Sequence, residues 1–255
     1  MAKIDKVRVI LLGDSGVGKT CLTHLIANNE ALKMPGWTVG CSIEVKLHEY
    51  KEGTPSQNTF FIELWDIGGS LSHKNTRGVF YNSINGIILV HDLTNRKSHE
   101  HLSEWLFEIL NKDEKKDFLR LQTSQEIEFD SEQFLGTTQI PILVVGTKLD
   151  LLDDKRRTKN SQKNSSIAEQ CGAEEIWLNC HEPRSFAAGT TDAVKLSRFF
   201  DKVIEKKHYS KDTSNLYGER RRIANSVSPF NTPFTSPDIS VASLSNTYKT
   251  PNTVI

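Results

Sequence analysis

The stretch Gly13 to Thr20, GDSGVGKT, sets the tightest constraint on what this chain folds into. It meets every fixed position of G-x-x-x-x-G-K-S/T, the phosphate loop. Its flanks agree: Val7 to Leu12 (VRVILL) is an apolar, β-rich run, and Lys19 to Ala27 reads as the start of a helix. A strand that turns through glycines into a helix N-terminus aims several backbone N–H groups at one spot, and a polyphosphate satisfies them. Gly13, Asp14, Ser15, Gly16, Val17 and Gly18 then make the cradle, with Cys21 just beyond it. Lys19 reaches the β- and γ-phosphates, and the Thr20 hydroxyl ligates Mg2+.

The remaining pattern tells what surrounds this loop. Ile43, Val45 and Leu47 alternate with Glu44, Lys46 and His48, which predicts a half-buried strand. Gly53 and Pro55 mark a turn before a further strand from Phe60 to Trp65, so the two predict an antiparallel hairpin. Gly86 to His91 (GIILVH) and Ile140 to Val145 (IPILVV) are continuous apolar runs, expected for central parallel strands. Leu102, Trp105, Leu106, Ile109 and Leu110 follow helical spacing, as do Val194, Leu196, Phe199, Phe200, Val203 and Ile204. A short last strand is expected at Glu175 to Leu178. Strands alternating with helices predict an α/β, doubly wound, mostly parallel sheet with one antiparallel strand, the P-loop NTPase arrangement. Ligands of such sheets sit beyond the carboxyl ends of the strands, where the phosphate loop lies. The expected division is a nucleotide domain over residues 1–210, an inserted surface loop at 113–138 and a disordered Ser/Thr/Pro-rich tail at 211–255.

Charge narrows the partners. Lys plus Arg and Asp plus Glu both number 32, so a net charge of zero gives nucleic-acid binding no electrostatic support. Cys21, Cys41, Cys171 and Cys180 are scattered without C-x-x-C spacing, as in a reduced intracellular protein. The first apolar run is too short for a signal peptide or a membrane span. A soluble, cytoplasmic protein is expected.

Other motifs select the nucleotide. Asp66-Ile67-Gly68-Gly69 leaves the Phe60 strand, where an Asp holds Mg2+ through water and Gly69 lets a backbone N–H approach the γ-phosphate. Thr38, ahead of the Ile43 strand, supplies a second hydroxyl to Mg2+. Thr147-Lys148-Leu149-Asp150 follows the IPILVV strand; Asp150 accepts two hydrogen bonds from the N1 and N2 positions of guanine, and the Lys148 stem lies over the base. An ATP-using enzyme is disfavoured by Asp150.

With GDSGVGKT, Thr38-Val39-Gly40, WDIGG, HDLTN (His91 to Asn95) and TKLD in order, the chain resembles a Ras-superfamily small GTPase of the Rab branch. Gly36 to Cys41, Tyr50 to Pro55 and Ala193 to Lys206 resemble the Rab-like protein 3 group. The resemblance implies GTP/GDP and Mg2+ as ligands. It also implies self-association, and protein partners among regulators, chaperones or effectors of small GTPases, with a role in the handling or prenylation of other small GTPases. Three departures stand out. Ser70 occupies the place of the glutamine that orients the attacking water, so slow hydrolysis is expected. Thr147 replaces the usual Asn, losing an amide contact. Asn179-Cys180-His181 stands where the family has Ser-Ala-Lys, leaving a backbone N–H for the guanine O6. No cysteine follows Cys180, so no prenyl anchor is expected. Two classes stay open: a regulatory switch with slow turnover, and a GTP-bound interaction scaffold without a working cycle. If Asp150 reads the base, Asp150→Asn should shift preference from guanine to xanthine nucleotides in a competition assay; unchanged GTP preference would remove Asp150 from that role.

Overall fold

Val9 and Leu11 alternate with Ile10 and Leu12 along β1 (Asp5–Leu12), and all four are fully buried, so this strand needs cover on both faces. In the computed structural model, which describes residues 4–110, 140–152 and 165–208, it has that cover. The 113–138 insertion and the 211–255 tail lie outside the described residues.

In chain order, β1 is followed by α1 (Lys19–Asn28), β2 (Cys41–Tyr50), β3 (Asn58–Ile67), β4 (Gly86–Asp92), α2 (Arg96–Glu100) and α3 (Leu102–Leu110). Next come β5 (Ile142–Thr147), α4 (Ser166–Cys171), β6 (Glu174–Trp177) and α5 (Thr191–His208). The described strands form one six-stranded sheet in the order β2-β3-β1-β4-β5-β6. β2 and β3 pair antiparallel and all other neighbours run parallel, as the patterning predicts.

Strand periodicity divides the core. Val9, Leu11, Ile88, Val90, Leu143 and Val145 pack with α1 and with Leu196, Phe199, Phe200, Val203 and Ile204 of α5. Those five recur at i, i+3, i+4, i+7 and i+8, one stripe of a helix. Ile10, Leu12, Ile87, Leu89, Ile142 and Val144 meet Leu102, Trp105, Leu106 and Ile109 of α3 and Ile167 and Ala168 of α4. Shifting any central strand by one residue would exchange its two sets between the layers, so register is firmly specified.

The structure decides which face of the half-buried strand β2 turns inward. Its apolar residues face outward: Ile43, Val45 and Leu47 are 49%, 50% and 59% exposed, while His48 and Tyr50 are buried. The inward positions are polar because helix groups answer them. Glu44 accepts from Asn28 Nδ2 at 2.6 Å, and Lys46 Nζ donates to the Ile26 carbonyl of α1 at 2.9 Å. On α5, Asp201 pairs with His48 Nε2 at 2.8 Å, and Glu205 accepts from the Tyr50 hydroxyl at 3.1 Å. Alternation fixed a two-faced strand but not which face turns inward.

Gly86, at the start of β4, lets α5 approach closely: a Cβ there would lie 2.5 Å from Val203 Cγ2 and 3.1 Å from Phe199 Cζ. Both neighbours are buried, and the branched Val203 has little rotamer freedom to yield. Gly86→Ala should destabilise the fold by about 1–3 kcal/mol, read as a lower urea midpoint at unchanged slope; an unchanged midpoint would mean α5 can slide.

Candidate nucleotide site

β1 and β3 run parallel, so their carboxyl ends deliver the phosphate loop and Asp66 side by side, with Leu11 opposite Asp66. Gly69 then lies against the loop backbone: a Cβ on it would fall 2.5 Å from the Ser15 nitrogen and 2.6 Å from the Gly13 carbonyl oxygen. Only glycine permits this approach. A cavity of about 800 Å3 opens there.

Most residues expected at the site line this cavity. They include Ser15, Gly16, Gly18, Lys19, Thr20 and Cys21 from the phosphate loop, Thr38, Gly69 and Ser70 from the two loops flanking β2 and β3, and Thr147, Lys148, Asp150, Asn179 and Cys180 from the ends of β5 and β6. Gly13, Asp14, Val17 and Asp66 stand behind the lining. The motifs did not single out Lys33, Pro35 and His181 as site residues, yet all three line it, and so does Trp37, which is 90% exposed. Lys33, Pro35 and Trp37 belong to no fixed-spacing motif and His181 closes the Asn179-Cys180-His181 stretch; the fold brings all four there.

At the phosphate end, Lys19 is buried and donates to the Gly13 carbonyl at 2.8 Å and the Asp14 carbonyl at 2.7 Å, two of the three bonds an ammonium makes. Three oxygens gather beside it. Thr20 Oγ1 donates to Asp66 Oδ2 at 2.6 Å, Thr38 Oγ1 donates to the same oxygen at 3.1 Å, and the hydroxyls are 3.0 Å apart. Asp66 is fully buried, and its other oxygen, Oδ1, has no protein hydrogen-bond partner. Burial pushes its carboxyl up, against hydrogen bonds from Thr20 and Thr38 and the charge of Lys19. A buried carboxylate with an unanswered oxygen beside two hydroxyls is a fitting donor set for a hard, oxygen-seeking cation such as Mg2+. No group of three His, Cys, Asp or Glu side chains among the described residues forms another metal site.

Asp14 turns away from the cavity. Its carboxylate accepts from Trp105 Nε1 at 2.9 Å and lies 2.7 Å from His101 Nδ1, tying the loop to α3. The Arg77 guanidinium stacks on the Trp105 ring at 3.8 Å and makes a bidentate pair with Glu108 at 2.6 Å for each bond. Ser70 is drawn into the same cluster: its hydroxyl is 2.7 Å from that of Ser72, and its carbonyl accepts from Arg77 at 3.5 Å.

At the base end, the Thr147 hydroxyl lies within hydrogen-bond reach of the carbonyls of Val17 and His91. The lost amide is thus partly replaced by a hydroxyl that joins β5 to the phosphate loop. Asn179 Oδ1 accepts from the His181 backbone at 2.9 Å and shapes the loop after β6. Burial pushes the Cys180 thiol to about 12, helped by Cys21 and Asp150, so it stays a neutral wall group.

The comparisons with known proteins agree with this geometry. Residues 8–126 match the family described as Ras of Complex, Roc, domain of DAPkinase. Rab-like protein 3 of Mus musculus is 50% identical over 228 residues, covering 87% of this chain and 95% of that protein. The Homo sapiens protein of that name matches to the same extent. The chain belongs to the Rab-like protein 3 family of small GTPases. The small GTPase LIP1 of Arabidopsis thaliana is more distant, 36% identical over 169 residues, or 62% of this chain and 45% of that protein. Like other small GTPases, members of the Rab-like protein 3 family are GTP-binding regulators. Among the described residues no helix is long and apolar enough to cross a membrane.

Burial lowers Lys19 from 10.5 to about 8, against the raising influence of Asp66 and Asp14. A folded value below the unfolded one means the unfolded chain holds the extra proton between these limits. Stability of the ligand-free protein therefore rises with pH across that window. A polyphosphate bound at Lys19 would favour the ammonium, so binding there would take up a proton above about pH 8 and affinity would fall. Calorimetry at about pH 9 in two buffers of different ionisation enthalpy should show uptake approaching about one proton; equal heats would place Lys19 away from the phosphates.

Proposed function

We propose that this chain is a regulatory GTP-binding protein that holds GTP, hydrolyses it slowly and acts through protein partners. The observation that carries the reading is the state of Ser70. Its hydroxyl is engaged with Ser72 and its carbonyl with Arg77, while Arg77 is itself fixed by Glu108 and Trp105. Hydrolysis needs a group that orients water in line with the γ-phosphate. A serine side chain lacks the second methylene and the amide of glutamine, and this one is already occupied.

Binding is supported at both ends of the cavity. Lys19 and the phosphate-loop N–H groups neutralise the polyphosphate, and Asp150 at the rim accepts from the guanine edge. Thr20, Thr38 and Asp66 would hold Mg2+, which when bound would neutralise negative charge on the phosphates. Thr38 and Gly69 belong to loops that a γ-phosphate would order, as in other switches of this kind.

Partner engagement rests on the outward face of β2 and the flanking loops. Ile43, Val45 and Leu47 continue toward exposed Trp37, Val39 and Leu71 beside Thr38 and Ser70. Arg8, stacked on Trp65 at 3.9 Å, and Glu63 provide charge beside these apolar side chains. An apolar strip with a charged border suits a protein surface, and chaperones or effectors of small GTPases are the proposed class. Its position lets nucleotide-dependent loop order alter the same contact.

Nucleotide released by denaturing freshly purified protein should run mostly as GTP on ion exchange; mostly GDP would overturn slow turnover. Ser70→Gln should raise single-turnover phosphate release by about tenfold, equal to about 1.4 kcal/mol off the barrier. No gain, with GTP still bound, would favour the scaffold reading, in which no hydrolysis cycle operates.

A further inference from the structure

The HDLTN stretch carries an acidic side chain that the site described so far does not use. Asp92, the last residue of β4, is 8% exposed, yet it is one bond away from the cavity. Its Oδ2 pairs with Lys148 Nζ at 2.7 Å. Its Oδ1 accepts from the Thr94 backbone at 2.8 Å and the Thr94 hydroxyl at 2.7 Å, so the carboxylate is fixed before it meets the lysine. Backbone bonds brace the same junction: Asp92 lies opposite Thr147 in the sheet, and Leu93 N donates to the Thr147 carbonyl at 3.1 Å.

The partner is held in an uncommon shape. Lys148 has φ 60° and ψ 36°, the left-handed region, which a residue with a Cβ occupies only where its surroundings keep it there. The turn through Lys148 is what carries the chain from β5 to Asp150, and both residues line the cavity. The Asp92 carboxylate is positioned to anchor the far end of the Lys148 side chain, leaving the alkyl stem along the cavity wall.

We propose that Asp92 is a positioning residue of the nucleotide site: through its ion pair with Lys148 it holds the base-reading turn in place and slows nucleotide escape. This rests on the reading of the cavity as a guanine-nucleotide site. The chemistry is specific to charge. Asn in place of Asp keeps the size and still accepts from Thr94, but it no longer attracts the ammonium. Burial alone would raise the Asp92 carboxyl; hydrogen bonds from Lys148 and Thr94 outweigh it, and the group stays ionised. Asp92 touches neither base nor phosphate in this arrangement, so it should affect how long the nucleotide stays and leave the hydrolytic step alone.

The test uses GDP and GTP carrying an N-methylanthraniloyl fluorophore on the full chain. Asp92→Asn should speed dissociation of both by about tenfold, the rate expected when an anchor of this kind is lost. Preference for GTP over XTP and the single-turnover hydrolysis rate should not change. Lys148→Met should also speed dissociation, and the double variant should be no faster than Lys148→Met alone. Dissociation unchanged in Asp92→Asn, or effects of the two substitutions that multiply, would overturn the proposal. If Asp92→Asn does not fold, Thr94→Val loosens the carboxylate while keeping its charge; it should speed dissociation in the native background and not in Lys148→Met, and any other pattern overturns the proposal. Wild-type protein that binds neither labelled nucleotide would instead overturn the reading of the cavity, and the inference with it.

Discussion

A single buried carboxylate joins the three segments on which the candidate site depends. Asp66 sits at the end of β3, wholly removed from solvent, and draws the hydroxyls of Thr20 and Thr38 to one oxygen. Thr20 lies in the first turn of α1 and Thr38 in the loop before β2, so the contact sets the distance between a fixed helix and a loop without regular structure. A buried carboxylate is costly without such partners, and its unanswered second oxygen leaves room for a cation to complete the balance. The sheet makes this possible, because parallel pairing of β1 with β3 brings Leu11 and Asp66 to the same level.

The base end is built by the same logic with different groups. β4 and β5 are parallel neighbours, so His91, Asp92 and Thr147 finish together. Thr147 reaches back to Val17 in the phosphate loop, and Lys148 reaches across to Asp92. Two ends of one cavity are thereby linked through backbone carbonyls and one ion pair. The Asp14 contacts with His101 and Trp105 extend the connection to α3, where Arg77 and Glu108 gather the Ser70 segment. The phosphate loop takes part directly through Val17 and Asp14.

Much of this was legible in the residues. GDSGVGKT, the Asp66 to Gly69 stretch and Thr147 to Asp150 are local signals whose spacing encodes a backbone shape, and the lining residues they name meet at one cavity. Central strands were equally plain, since burial on both faces writes a continuous apolar run. Less legible were Lys33, Trp37 and His181, each on a loop whose path depends on contacts far away in sequence. Asp92 stood inside a quoted motif, yet nothing in HDLTN says that its carboxylate meets a lysine fifty-six positions later.

By itself, the sequence determined the phosphate loop, the alternation of strands and helices, the serine at position 70 where the family has glutamine, and the acidic side chain of Asp150 proposed to read the base. These follow from local rules: glycine spacing, side-chain period and the chemistry of single side chains. Tertiary structure alone decided which face of β2 turns inward, the partners of Asp14 and Asp92, and what holds Ser70. Each of those is a choice between two faces or among several donors, and its energy depends on groups supplied by distant elements. Glu44, Lys46 and His48 lie inward because α1 and α5 bring Asn28, the Ile26 carbonyl and Asp201 to meet them.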